Sequence, residues 1–426
     1  MKLETFAIPY TGETVLCGVH ESGLPICILR KEGYRSAYAT VAVRYGSVDN
    51  AFSVDGRLRT VPAGIAHYLE HKLFESEDGD AFLQYAKTGA NANAYTSFQQ
   101  TAYLFSCTEN FERSLEILLH LVQDPYFTEE NVEKERGIIG QEIRMCADDP
   151  DRLAMFNALE MLYAAHPVRI DIAGTQASIA EITPQLLYDC YSAFYNLRNM
   201  VLTVCGDVDE KTVTAVADRM LKTAPPLAIE RRLPQEPTTV SAHRRVAHME
   251  VAAPVFHIGF KEPVTAGDGV HTGRELMAAQ VLLELLCGHA SPLYADLMAK
   301  GLINETFGSG YFEGAGFGAF LFSGESRDAD AVAAALVAEI ERMRRDGIDG
   351  ERFEEEKRAL FGQLITGLNS VESCADWMAD DCFCGRKPFA LIDSAAKLDV
   401  QSVYTVLHKK LCTENMAVSL VLPKGE

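Results

Sequence analysis

GIAHYLEHKLFE, Gly64 to Glu75, is the stretch on which the reading of this chain turns. It sets His67, Glu70 and His71 in the order H-x-x-E-H. On a helix, residues four apart share one face, so the two imidazoles stand one turn above the other. Two imidazoles so placed can bind one tetrahedral Zn²⁺ and leave room for a third protein ligand and a water. Glu70 is near enough to that face to take a proton from such a water. A histidine pair at this spacing also occurs in ordinary core and surface helices, so the reading depends on a third ligand elsewhere.

Working outward, the motif helix is expected to start near Pro62, a residue suited to a first helical turn, and to run past Phe74. Before it lie short β-rich runs at Val15–Val19, Pro25–Leu29 and Tyr38–Tyr45, separated by glycines and charged turns. After it come the turn EDGD, a helical stretch from Ala81 to Lys87 closed by Gly89, and NANAYTSFQQTAYLFSCT, which alternates as one or two strands. A helix through Phe111–Val122 follows.

The next helical stretch, Glu129 to Pro150, supplies the missing ligand. Glu135 and Glu142 are seven residues apart, two helical turns, and so face the same way. Either glutamate alone is more simply a surface residue. Glu142, however, follows the apolar pair Ile138–Ile139, and beside two histidines lacking a third ligand it becomes the natural candidate.

Composition narrows the rest. With 426 residues, 48% apolar and 23% charged, the chain is a globular protein of two to three domains. A formal net charge of −21 argues against nucleic acid and against anionic membrane surfaces. The N-terminal stretch MKLETFAIPYTGETV lacks an apolar signal core, and no apolar run is long enough to span a membrane. The 11 cysteines are scattered and odd in number, which reads as reduced thiols in a cytoplasmic protein. Cys382 and Cys384 form a C-x-C without companion ligands and read as structural.

Two α+β units repeat. FEEEKRALFGQLI (353–365) echoes VEKERGIIGQEI (132–143), in a register that sets Gly362–Gln363 against Gly140–Gln141 and Leu364 against Glu142. SVYTVLHKKLCTENMAVSLVLP (402–423) likewise echoes LLYDCYSAFYNLRNMVLTVCGD (186–207), each a helix and then a strand. The proline-rich stretch 223–240 reads as the linker, dividing the chain into 1–222, which carries the metal-type residues, and 241–426, which does not.

These residues resemble the inverzincin peptidases of the insulinase and pitrilysin family. That family's pattern is H-x-x-E-H, then a downstream glutamate ligand with a second glutamate seven residues before it. Here Glu142 lies 71 residues after His71, and Glu135 lies seven before Glu142. GANANAYTS resembles the family's G-x-x-N-A-x-T edge strand, which pairs with the peptide substrate. More narrowly, GIAHYLEHKLFE, TSFQQTAYLFSCT, DPYFTEENVEKERGIIGQEI and HPVRIDIAGT resemble a bacterial cytoplasmic subgroup associated with elongation factor P aminopentanol modification and leader-peptide processing.

The resemblance implies two homologous α+β domains, each an antiparallel-rich sheet with helices packed on it, the first catalytic and the second degenerate. Together they would make half of a clam-shell chamber. It implies one Zn²⁺ per chain on His67, His71 and Glu142, with Glu70 activating the water and Glu135 orienting a ligand histidine. Asn93 and Ala94 would hold the backbone of a peptide substrate. One departure stands out. Family members carry an Arg and a Tyr in the second half that clamp substrate and stabilise the oxyanion. In SPLYADLMAKGLINETFGSGY (291–311) those positions hold Met298 and Asn304. Some bacterial relatives divide the parts between two chains, so the expected partner is a homologous subunit bearing the Arg/Tyr pair, in a heterodimer, or a second copy in a self-dimer. The alternative is a non-catalytic structural or binding subunit.

Overall fold

The computed structural model describes residues 1–77, 79–226, 229–263 and 271–425, so residue 78 of the EDGD turn and residues 227–228 of the expected linker lie outside the described residues. The first sheet uses β1 (Glu4–Ala7), β2 (Thr14–Val19), β3 (Pro25–Arg30), β4 (Ala37–Val43), β5 (Asn91–Thr96), β6 (Thr101–Cys107) and β7 (Met200–Gly206). Their spatial order is β1-β2-β3-β7-β4-β6-β5. Every residue of β4 and β7 is buried. Both are near-continuous apolar runs, which suits strands covered on two faces.

The second sheet uses β8 (Arg244–Met249), β9 (Val255–Lys261), β10 (Gly308–Gly314), β11 (Phe317–Glu325) and β12 (Met416–Pro423), in the order β8-β12-β9-β11-β10. The repeat seen in the sequence is a repeat of topology. In the first sheet β3 pairs parallel with β7, and β7-β4-β6-β5 continue antiparallel. In the second, β8 pairs parallel with β12, and β12-β9-β11-β10 continue antiparallel. The first sheet adds β1 and β2 outside this shared pattern.

The helices of the first half are α1 (Ile65–Leu73), α2 (Ala81–Thr88), α3 (Phe111–Leu121), α4 (Glu129–Ala147), α5 (Pro150–Leu162), α6 (Gln176–Ala180), α7 (Pro184–Phe194) and α8 (Glu210–Met220). The second half has α9 (Gly273–Cys287), α10 (Pro292–Ala299), α11 (Ala329–Asp346), α12 (Gly350–Gly367) and α13 (Val371–Phe383), followed by Ala390–Ala396 and Val400–Lys409. By packing, one unit comprises Met1–Ile143, Asp171–Arg232 and Ile365–Ala390, and the other Arg144–Ile170, Leu233–Leu364 and Leu391–Glu426. Each sheet thus receives a covering helix from the other half of the sequence. In the first unit α13 lies against β7 and β4, where Thr203 Oγ1 donates to the Ala375 carbonyl at 2.9 Å. In the second unit α5 lies against β9 and β12.

Three local expectations change. The motif helix starts at Ile65, not near Pro62, because its N-cap Gly64 has a left-handed backbone, and it stops at Leu73. Within 223–240, Ile229–Arg231 is a strand that pairs with Phe52–Val54, so part of the stretch read as linker is sheet. Cys17 and Cys27 sit directly opposite on β2 and β3 and form a disulfide, against the reading of all the cysteines as free thiols. Among the described residues no single helix is long and apolar enough to cross a membrane.

Candidate metal centre

α1 presents the motif from inside the first unit. Ile65, Tyr68, Leu69 and Leu73 are buried in its core, which leaves His67, Glu70 and His71 on the opposite side of the helix, toward α4 and β5. α4 buries Val132, Glu135, Ile139 and Gly140 along one stripe, and Glu142 continues it one turn beyond Ile139. The two helices are joined directly, because the Tyr68 hydroxyl donates to the Val132 carbonyl and His71 meets Glu135.

Three donor side chains converge. One ligand atom each from His67, His71 and Glu142 lies within 4.8 Å of the others. His67 Nε2 is 3.4 Å from Glu142 Oε1, and His71 Nε2 is 3.6 Å from Glu142 Oε2. Donors on a tetrahedral ion with bonds of about 2.0–2.1 Å stand roughly 3.4 Å apart, so these spacings fit Zn²⁺. The imidazole orientations agree. His71 Nδ1 is 3.0 Å from Glu135 Oε1, which fixes the proton on Nδ1 and leaves the Nε2 lone pair for an ion. The buried Nδ1 of His67 has no hydrogen-bond partner among the described residues, and Nε2 is the nitrogen turned to Glu142.

The electrostatics are strongly anionic. Burial pulls the His71 pKa down, but Glu135, Glu70 and Glu142 outweigh it and the net shift is upward. A site that favours the imidazolium when empty favours a divalent cation by the same charge. Behind Glu135, the fully buried Lys72 ammonium contacts Glu75 and lies 3.8 Å from Glu135 Oε2. Glu75 also accepts from Lys134 at 3.0 Å; burial raises its pKa, the two ammonium partners outweigh that, and the net shift is downward.

Glu70 is buried beside this cluster. Thr96 Oγ1 donates to Glu70 Oε2 at 2.7 Å, which ties the motif helix to the end of β5. That strand ends the sheet, and among the described residues it pairs only with β6, which leaves its other edge without a strand partner there. Asn93 and Ala94 are on it, three and two residues before Thr96, and the Ala94 N–H is held by Asn93 Oδ1 at 2.9 Å. The structure therefore gathers His67, His71, Glu142, Glu135 and Glu70 at one place and puts Asn93 and Ala94 on the adjoining strand.

Sequence reasoning missed Thr96, Lys72 and Tyr68. Thr96 lies within GANANAYTS, but nothing in its residue type assigns it to Glu70. In the second unit, Met298 is packed against that unit's apolar core. Asn304 Nδ2 donates to Glu325 Oε2 at 2.7 Å, and its Oδ1 accepts from Thr306 N–H at 2.9 Å.

Residues 34–176 match the family described as Insulinase (Peptidase family M16), and residues 181–360 match the one described as Peptidase M16 inactive domain. A Bacillus subtilis protein named as an uncharacterized zinc protease, YmfH, is 38% identical over 97% of each chain. The crystal structure of an M16-like peptidase from Alicyclobacillus acidocaldarius superposes with a TM-score of 0.92 at 34% identity, covering 100% of this chain and 99% of that one. Pitrilysin shares the fold at 17% identity and a TM-score of 0.75; 99% of this chain covers 46% of pitrilysin.

Proposed function

The chain belongs to the insulinase family, peptidase family M16, and from that premise we propose that it is the metal-bearing subunit of a zinc-dependent endopeptidase acting on short unfolded peptides. The observation that carries the reading is the closure of His67, His71 and Glu142 to within 4.8 Å, with Glu70 beside them. These three would hold one Zn²⁺. Bound there, the ion supplies Lewis acidity, polarising a scissile carbonyl and acidifying a water enough to attack near neutral pH.

The chain's own residues do the rest. Thr96 holds one oxygen of Glu70, which leaves the other to take the proton from the attacking water. Glu135 keeps His71 in the tautomer a ligand needs. Asn93 and Ala94 lie on a strand with no partner at its outer edge among the described residues, and an extended peptide there would continue the sheet.

No residue in this reading supplies the positive donor that a tetrahedral oxyanion needs. Met298 can neither donate nor carry charge, and Asn304 is engaged with Glu325 and Thr306. Loss of one such donor costs about 2.7–4 kcal/mol in the barrier. A homologous subunit bearing an Arg/Tyr pair would restore it. The elongation factor P or leader-peptide association of the resembling subgroup is one candidate for the substrate.

The test is hydrolysis of a mixed pool of unstructured peptides by the chain alone and by the chain co-purified with a homologous Arg/Tyr-bearing subunit. Little turnover alone and chelator-sensitive turnover of the pair, abolished by Glu70→Gln, is the expected result. Turnover of the pair that survives Glu70→Gln would reject the assignment. Zinc with brisk turnover by the single chain would reject the divided site.

A further inference from the structure

AGTQAS, Ala173 to Ser178, touches both metal-bearing helices at once, although none of its side chains is a metal donor. Ser178 Oγ accepts from the Thr175 N–H at 2.9 Å and donates to the Ala63 carbonyl at 2.8 Å, just before the N-cap of α1. Gln176 Nε2 donates to the Gly140 carbonyl in α4, two residues before Glu142. The buried Ala173 and Ile179 anchor the segment on either side.

The backbones meet closely. A Cβ on Gly64 would stand 2.5 Å from the Ala173 carbonyl oxygen, and one on Gly174 would stand 2.5 Å from that of Ala63. Both glycines also have positive φ, 89° and 75°, so side chains are excluded on two grounds. A Cβ on Gly140 would lie 3.1 Å from Gln176 Oε1.

Metal donors on two different helices must agree within about 0.5 Å to share one ion. The helices already touch at Tyr68–Val132 and His71–Glu135, and this segment bridges them a third time through a separate piece of chain. We propose that Gln176 and Ser178 are positioning residues, a clip that sets the separation of α1 from α4. Through it, His67 and His71 on one helix close on the same ion as Glu142 on the other. The inference rests on the metal-binding reading above.

It is tested on the purified full chain by Zn²⁺ affinity in chelator competition, with the Co²⁺ absorption spectrum and the melting temperature of the metal-free protein measured alongside. Gln176→Leu and Ser178→Ala should each weaken Zn²⁺ about tenfold, the low end for loss of support around a metal ligand. The Co²⁺ bands should shift while the metal-free protein melts as the parent does. Ser178→Thr, which keeps the hydroxyl, should restore affinity. Gly140→Ala removes no donor but crowds Gln176, and should also weaken binding. Gln176 is largely exposed, so its variant tests the idea even if Ser178→Ala does not fold. Parent affinity and spectrum in Gln176→Leu would overturn the clip, as would affinity that falls only in step with melting temperature. A parent chain that takes up no Zn²⁺ would instead reject the metal reading and the clip with it.

Discussion

His71 shows how much of this site is decided by neighbours that are not themselves donors. Its Nδ1 is held by Glu135, and Glu135 in turn lies beside the buried Lys72. Replacing Glu135 by Gln keeps an acceptor but removes the charge that favours the donor tautomer and draws Lys72 inward. Zn²⁺ affinity should fall about tenfold or more, within the 10–100-fold range for lost outer support, and chelator competition measures it. Affinity equal to the parent would mean that Glu135 is only structural. At this scale the sequence was most informative. H-x-x-E-H and a glutamate pair seven apart named five residues that the fold gathers, because helical periodicity fixes which side chains share a face. Thr96 and Gln176 were not legible, since their partners, Glu70 and Gly140, come from segments distant in the chain.

Among the elements, α13 makes the clearest case for long-range decisions. It packs on the first sheet through Cys374, Ala375, Met378 and Ala379, and carries Glu372, Asp376 and Asp380, one turn apart, along another face, where Asp376 is half-buried between two exposed acids. Burial, then the charges of Asp380 and Glu372, push the Asp376 pKa up to about 7. The native state therefore holds a proton that the unfolded chain releases at ordinary carboxylate pH. Stability contributed by that proton is present at low pH and is lost as pH rises through about 7. Asp376→Asn should raise the melting temperature at pH 8 and do little at pH 4.5; an equal effect at both would show that the charge is not the cause. The sequence predicts a helix start near Pro62, yet α1 begins at Ile65 because Gly64 must pass the Ala173 carbonyl. The same limit applies to Ile229–Arg231, whose strand exists only because Phe52–Val54 offers it an edge.

For the whole molecule, the repeated topology lets one half hold the cluster of His67, His71 and Glu142 while the equivalent helix of the other half, among the described residues, has no such group. The Gly362–Gln363 register sets Leu364 where Glu142 stands, and Leu364 packs on the second unit's apolar core. The two halves keep the same strand order while their helices diverge in chemistry, and the segment exchange seen in packing left no mark on composition or periodicity. On the proposed reading, in which Met298 and Asn304 stand where the family has its oxyanion donors, the chain alone should hydrolyse peptides at least about 10²-fold more slowly than the pair with an Arg/Tyr-bearing subunit. Steady-state rates on one peptide pool decide this, and equal rates would contradict it.

The most direct measurement is the metal content of the purified chain beside that of a His67→Ala/His71→Ala variant, both dialysed against trace zinc. The expected result is close to one Zn²⁺ per parent chain, removed by chelator, and almost none in the variant. A parent without zinc, or a variant that retains it, would contradict the assignment of His67, His71 and Glu142 as the metal centre.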